Sequence, residues 1–270
     1  MTRERPAPRT AGGQARGILA PARVLFALIM REMTTRFGRS MMGYVWAFIE
    51  PVAFIALLSL AFSRISHSPP FGNSFPLFFA TGYLAFSFYN DIASLTGRSV
   101  SVNRPLLSYP AVTPLDTVLA RLVLQVLTGL AVGGIVFAGI LAIYADPVQI
   151  APAPLMTMLA LGAFLGLGVG LVNVTLFALS KGWEIAYGVI SRPVLFVSCI
   201  FYSYESMPLF VREILWWNPI VHLVGLLRSG FYPVYDASHV SVFYVLALAL
   251  GLTVLGLALM AAMGNRLVEP

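Results

Sequence analysis

Residues 208–230 read PLFVREILWWNPIVHLVGLLRSG, and the folding of this stretch decides how often the chain crosses a membrane. Two apolar runs, 208–217 and 219–230, meet at Asn218-Pro219. As helices they would reach roughly 15–18 Å at about 1.5 Å per residue, half of a hydrocarbon core of about 30 Å. Neither run crosses alone. As a pair they can dip in and return, provided protein or water satisfies the backbone at the break. The competing arrangement is one kinked span, which would place Arg212 and Glu213 inside the bilayer.

Working outward, five long apolar segments precede this stretch, at about 42–63, 76–97, 115–144, 155–179 and 185–203, and a sixth follows at 240–263. The third is longer than a span needs, so part of it is expected to project beyond the membrane or to tilt. The 270 residues are 59% apolar and 10% charged, with a mean hydropathy of +0.85. A soluble domain carries roughly 45–50% apolar and about 25% charged residues, so too few charges are present to cover a water-facing surface. The expected fold is an all-α integral membrane bundle with six transmembrane helices. An amphipathic helix precedes them, and a re-entrant pair of short helices precedes the last span.

Charge sets the orientation. Eight of the seventeen basic residues lie in the first forty positions. Residues 1–20 form a basic, proline- and glycine-rich tail, expected to be disordered. In 21–40, Arg23, Ala27, Arg31 and Thr34 recur on one side, opposite Leu25, Phe26, Ile29, Met30, Met33 and Phe37. Such a helix suits a headgroup layer; an ordinary basic flank to the first span is the plainer alternative. The transmembrane domain then occupies 41–270. With the N-terminus inside, fourteen basic residues fall on inner segments and only Arg64, Arg212 and Arg228 on outer ones, as the positive-inside rule requires. Both termini are thereby expected in the cytoplasm. The basic excess records topology, and nucleic acid is not an expected partner.

Little catalytic chemistry is present. No G-x-x-x-x-G-K-[ST] loop occurs, and the sole lysine, Lys181, precedes Gly182-Trp183, so nucleotide hydrolysis by that route is excluded. The single Cys199 rules out a disulfide framework or a multi-thiolate site. His67, His222 and His239 are too scattered in sequence to suggest a metal site, and none is expected. The intramembrane carboxylates are more informative, because charge in lipid costs several kcal/mol unless partnered. Glu50 and Asp91 sit at similar depths on antiparallel spans; both are expected to face the bundle interior and pair with Arg36, Arg39 or Arg192. Glycines at four-residue spacing, Gly129 with Gly133 and Gly162 with Gly166 and Gly170, would allow close helix approach.

Between the second and third spans, 98–121 contains Asn103-Arg104-Pro105, Tyr109-Pro110 and Thr113-Pro114-Leu115-Asp116. Thr113 can cap a helix whose first position is Pro114, with Asp116 favouring the dipole in the first turn. Three prolines stiffen this elbow, which suits force transmission from a partner and would equally serve as a plain connector. Aromatic residues, 13% of the chain, are interfacial anchors or, along a path, stacking surfaces for sugar rings.

Four stretches carry a resemblance. They are Arg31-Glu32-Met33-Thr34-Thr35-Arg36-Phe37-Gly38 leading into Gly43 through Pro51; Asn103 through Leu107 with Pro114-Leu115-Asp116-Thr117 and Ala120-Arg121; Pro193 through Ile200; and Trp217-Asn218-Pro219-Ile220-Val221-His222. In these the chain resembles the ABC-2 type permeases that export capsular polysaccharide in Gram-negative bacteria, the KpsM-type subunits, with the O-antigen permeases as close relatives. The resemblance implies a homodimer of six-span subunits in the inner membrane, joined to two separate subunits that bind ATP and Mg. The chain itself would hold no cofactor. Arg31, Arg36, Phe37 and Gly38 would belong to an interface helix. Asn103, Arg104, Pro105, Pro114 and Asp116 would form the element that couples to the ATPase. Trp216, Trp217, Asn218, Pro219, His222 and Arg228 would form an outer-side gate. Lipid-linked polysaccharide would pass to a periplasmic adaptor and an outer-membrane exporter. An O-antigen or related polymer is the nearest alternative cargo. A membrane enzyme acting on lipid-linked sugars would need a catalytic cluster that the sequence does not assemble. A proton-coupled transporter would show internal repeats, and none is evident.

Overall fold

The computed structural model describes residues 19–37, 41–107, 112–144 and 149–264, and their regular structure is helical throughout. In chain order the helices are α1 (Leu19–Phe37), α2 (Met41–Ser63), α3 (Phe75–Gly97), α4 (Ser99–Leu107) and α5 (Pro114–Tyr144). They continue as α6 (Pro152–Leu179), α7 (Lys181–Phe196), α8 (Leu209–Trp216), α9 (Pro219–Phe231) and α10 (Val242–Ala262), with one 3-10 turn at Tyr204–Ser206. Residues 1–18 of the expected tail lie outside the described residues, as does Gly38.

The long helices alternate in direction between two ends. At one end the start of α5 and the end of α3 meet α1 and α4, and Met260 of α10 packs with Val100, Leu107 and Val118. At the other, Phe137 of α5 stacks on Phe231 of α9 at 4.3 Å, and the Ala151 amide before α6 donates to the Gly230 carbonyl at 2.9 Å. Among the described residues four helices contain segments long and apolar enough to cross a membrane by length and composition: Val45–Ser63, Pro114–Tyr144, Pro152–Leu179 and Val242–Ala262.

α3 and α9 fill the middle. Leu77, Phe78, Phe79 and Ala80 of α3 pack with Leu223, Val224 and Leu227 of α9 in the main core, and all are nearly inaccessible. A helix shielded from lipid on every side can carry polar side chains that a lipid-facing one cannot. This explains why α3 holds the buried Thr81, and α9 the buried His222 and Arg228; Ser87, Asn90 and Asp91 of α3 lie on its less covered side.

The 155–179 segment approaches α3 through its glycines. A β-carbon on Gly166 would lie 2.8 Å from Ile92 Cβ, and one on Gly170 would lie 2.7 Å from Thr96 Cβ. Gly168 and Gly256 serve the α6–α10 contact in the same way, against the Ala249 carbonyl and the Leu171 backbone. The other expected glycine pair divides: Gly129 makes room for the Phe88 ring, whereas Gly133 has nothing within 4 Å.

The 208–230 stretch folds as two helices, α8 and α9, with Asn218 capping the second through a 3.0 Å bond from the Ile220 amide to its Oδ1. The expected fifth segment, 185–203, differs more. Ser180 caps α7 by accepting from the Trp183 amide at 3.3 Å, so the helix starts four residues earlier at Lys181. It stops at Phe196, and at Cys199 the backbone turns to φ +57, a value foreign to a right-handed helix. At sixteen residues, α7 reaches about 24 Å, and none of its residues is buried.

The glycine contacts give a paired test. Gly166→Val should cost about 1–3 kcal/mol as an overpacked core does, seen as a lower thermal midpoint of the detergent-purified protein. Gly133→Val, facing open space, should leave the midpoint nearly unchanged.

Candidate functional site

Three places bring functional side chains together. The first is a clasp of α1, α4 and α5. Arg31 donates to Asn103 Oδ1 at 2.8 Å, and Asn103 Nδ2 donates to Glu32 Oε1 at 2.7 Å and to the Ser99 carbonyl at 2.9 Å. The other carboxylate oxygen of Glu32 meets Arg121 at 2.7 Å, with side chains only 5% and 7% exposed. One carboxylate thus ties the first helix to both sides of the elbow. Arg104 is half-buried beside this clasp and Pro105 follows in the last turn of α4.

The elbow's exit is fixed by a reciprocal cap. The Asp116 amide donates to Thr113 Oγ1 at 3.2 Å, while the Thr113 amide and hydroxyl donate to Asp116 Oδ2 at 2.9 and 2.8 Å. This is the capping-box geometry, with aspartate in the usual glutamate's place. Pro114 begins α5 where no amide partner is needed.

The side chains of Arg36 and Phe37 lie outside the described residues. Sequence reasoning placed Glu32 and Arg121 in resembling stretches without singling them out as a pair. The signal was there: Glu32 is the only acid between Glu4 and Glu50, and Arg121 interrupts an otherwise apolar run.

The second place is a knot at the α8–α9 end. Arg228 is fully buried. Its guanidinium donates to the Tyr202 and Ile200 carbonyls at 3.1 and 3.3 Å and lies 4.3 Å from the Phe78 ring centroid. The turn at Cys199 leads into these carbonyls. Asn218 Nδ2 donates to Ser198 Oγ at 3.1 Å and to the Val197 carbonyl at 3.2 Å, so the end of α7 and the α8–α9 break are joined. The expected gate residue Arg228 therefore points into the protein core.

Trp216 and His222 tie the knot to the start of α10. The Ser241 amide donates to His222 Nδ1 at 3.1 Å, which leaves Nε2 to carry the proton and donate to the Trp216 carbonyl at 2.8 Å. Trp216 Nε1 donates to the His239 carbonyl at 3.1 Å, and the Tyr244 hydroxyl donates to the Trp217 carbonyl at 2.7 Å. Trp217 itself is exposed. His222 and His239, distant in sequence, share this cluster; among the described residues no group of three His, Cys, Asp or Glu could hold a metal. Burial pushes the His239 imidazole below its ordinary pKa, opposed by the Glu205 carboxylate 3.5 Å away.

The third place is a cleft of about 300 Å3 between α2, α3 and α5. Glu50 and Asp91 both line it, together with Tyr83, Ser87, Asn90, Gln125 and Thr128. The similar depth expected of the two acids is thus matched by a shared wall, but both are exposed and do not sit in the closed interior. Ser87 donates to Asp91 Oδ2 at 3.1 Å. Arg192, one expected partner of the two acids, is exposed on α7. The other two, the Arg36 side chain and Arg39, lie outside the described residues. Among the described residues the long helices carry the ion pairs Arg121–Glu32 and Arg98–Glu184, the latter at 2.7 Å between the end of α3 and the start of α7.

Residues 23–232, which include the clasp, the cleft and most of the knot, match the family described as ABC-2 type transporter. The chain belongs to that family. This ABC-2 chain is 32% identical over 234 residues to the polysialic acid transport protein KpsM of Escherichia coli, covering 86% of this chain and 90% of that one. It is 29% identical to the capsule polysaccharide export inner-membrane protein CtrC of Neisseria meningitidis serogroup B, covering 92% and 93% of the two chains. The corresponding protein BexB of Haemophilus influenzae is 28% identical, with 92% and 93% covered.

Two tests follow from the clasp and the knot of this ABC-2 chain. Glu32→Gln should destabilise by about 3–5 kcal/mol, as expected when a buried charge loses its partner. Combining it with Arg121→Met should recover part of the lost thermal midpoint, giving a coupling energy in a double-mutant cycle. Arg228→Lys should lower the midpoint nearly as much as Arg228→Met. An ammonium lacks the planar fork that serves two carbonyls at once.

Proposed function

We propose that this chain is the membrane-spanning permease subunit of an ATP-driven exporter that moves lipid-linked capsular polysaccharide across a bacterial inner membrane. The observation that carries the reading is its likeness, along nearly the full length of both chains, to proteins named for capsule polysaccharide export and polysialic acid transport. Those names favour a capsular polymer over an O-antigen as cargo. In this reading two copies associate, α2, α3, α5, α6, α7 and α10 are the six spans, and both termini face the cytoplasm. The α8–α9 pair then enters and leaves the membrane from the outer side.

The missing phosphate loop makes a separate energy source necessary. Two ATP-binding subunits, each with ATP and Mg, would dock at the end of the bundle that carries α1 and α4. There the clasp supports a mechanical role: a push on α4 reaches α1 and α5 through the short contacts of Asn103 and Glu32. The knot at the far end would hold the gate helices, and polymer leaving it would pass to a periplasmic adaptor and an outer-membrane exporter. α7 is short for a span, but an outward continuation through residues 197–203 would lengthen its path.

Co-expression tests the assignment. The purified chain should show no ATPase activity alone and should retain an ATP-binding subunit encoded with it when the two are produced together. Deletion should leave polymer synthesis running while polymer accumulates inside the cell and disappears from its surface. A chain that purifies alone and chemically modifies lipid-linked sugar would refute the proposal.

A further inference from the structure

A groove of about 900 Å3 opens between α2 and α5. Val52, Ile55 and Leu60 of α2 line one wall, and Ile135, Gly139 and Ile143 of α5 line the other. Ser59 and Ser63 also line it, but their hydroxyls donate to the Ile55 and Leu60 carbonyls at 2.6 and 3.0 Å. Polar groups gather at one end, where α2 and α5 finish and α3 begins. Asn73, Ser74 and Tyr144 line the groove there, and the exposed Arg64 follows Ser63 in the chain. The α5 wall, Ile135 to Tyr144, is about 14 Å long at about 1.5 Å per residue, and the α2 wall, Phe48 to Ser63, about 22 Å. One leaflet, half of a core about 30 Å thick, falls between those depths.

The polar rim holds a donor without a partner. Ser74 occupies the N-cap position of α3, yet its side chain makes no cap bond. A capping serine accepts from the amide two or three residues on. Here the residue two on is Pro76, which has no amide hydrogen. Ser74 is only 5% exposed, and its hydroxyl has no hydrogen-bond partner among the described residues. A buried polar atom in that state calls for a ligand, a water or an ion. The start of α3 adds a second attraction for anionic oxygen, because first-turn amides and the helix dipole favour negative charge. Of the three outer arginines, Arg212 and Arg228 spend their donors on backbone carbonyls. Arg64 makes no ion pair among the described residues, and no acid lines the groove. The rim is also held in place. Gly72 turns with φ +67, and a β-carbon there would lie 2.6 Å from the Tyr232 ring, so a side chain would push Asn73 and Ser74 away.

We propose that this groove holds one glycerophospholipid of the bilayer, its acyl chains along the α2 and α5 walls and its phosphate at the Asn73-Ser74 rim. The Ser74 hydroxyl, the Asn73 carboxamide and the Arg64 guanidinium are the donors to its phosphate and ester oxygens. A phospholipid carries its polar group at the end of its apolar length, which is the groove's own layout. An apolar helix from a second copy would leave the Ser74 hydroxyl without a partner and bring no anion to Arg64. In the orientation proposed above the lipid belongs to the outer leaflet; the site itself goes beyond the export reading and does not depend on it. Bound there, the lipid braces α2 against α5, and its removal loosens the bundle.

The full chain, purified in detergent and stripped of lipid, tests the site by titration with dioleoyl phosphatidylglycerol. Native mass spectrometry should find one phospholipid per chain, and saturation should raise the thermal midpoint by about 5 °C. Dioleoylglycerol, with the same chains and no phosphate, should need roughly tenfold more for the same rise, the scale of lost charge-assisted hydrogen bonds. Ser74→Ala and Arg64→Gln should each raise the half-saturating phospholipid concentration about three- to tenfold. A β-carbon at Gly139 meets nothing within 4 Å, so Gly139→Trp can fill the groove and should abolish the rise. Ile143→Trp, nearer the rim on the same wall, gives a second blocking variant. Gly133→Trp, on α5 outside the groove, should leave the rise intact. An undiminished rise in both blocking variants, or equal potency of dioleoylglycerol, overturns the proposal. So does a photo-reactive residue at Ile143 that cross-links to a second copy instead of to lipid. None of these readouts involves export, so failure here leaves the permease assignment standing.

Discussion

A charge removed from water must find a partner within the protein, and in this chain the partner is regularly supplied by another helix. Glu32 of α1 meets Arg121 of α5 and Asn103 of α4. Arg228 of α9 meets carbonyls released by the backbone turn after α7. Neither arrangement can form within a single helix, so each one sets the position of one element against another. Apolar packing in lipid cannot do this as well, since a leucine on a helix surface finds lipid as congenial as a neighbouring helix. Close approach through Gly166 and Gly170 then holds α6 against α3 by shape.

The same constraint divides the molecule into two fastenings and a middle. The clasp sits where α1 and α4 lie, the knot where α8 and α9 lie, and the long helices run between them. The middle is where α3 shows its polar stripe to the cleft. The distribution of buried charge follows that division, with closed polar contacts at both ends and an accessible polar wall between them.

Much of this was legible in sequence because membrane helices announce themselves by length and hydropathy. The segments 42–63, 76–97 and 115–144 differ by one residue at most from α2, α3 and α5. Thr113, Pro114 and Asp116 announced a helix start through local chemistry, and the cap bonds are there. The end of α7 was not legible, because Val197 through Phe201 are apolar but for Ser198 while the backbone turns at Cys199, and hydropathy does not register dihedral angles. The roles of Glu50 and Arg228 were harder still. Depth along a helix can be counted from sequence, but the side of the helix that faces a cleft depends on contacts hundreds of atoms away. Glu50 accordingly lies on an accessible wall, while Arg228, read as a residue near the exit, is sealed inside.

α7 is fastened by polar side chains, Glu184 to Arg98 and Trp183 to Asn173, yet buries none of its own residues. Its outward side, with Ile185, Val189 and Ile190 exposed, is released from the packing demands that restrict α3 and α6. Substitutions there are invisible to the folding of a single chain. Whatever pattern of tolerated and forbidden residues these positions show in a mutational scan is therefore a direct readout of their surroundings in the membrane, uncontaminated by the stability of the bundle itself.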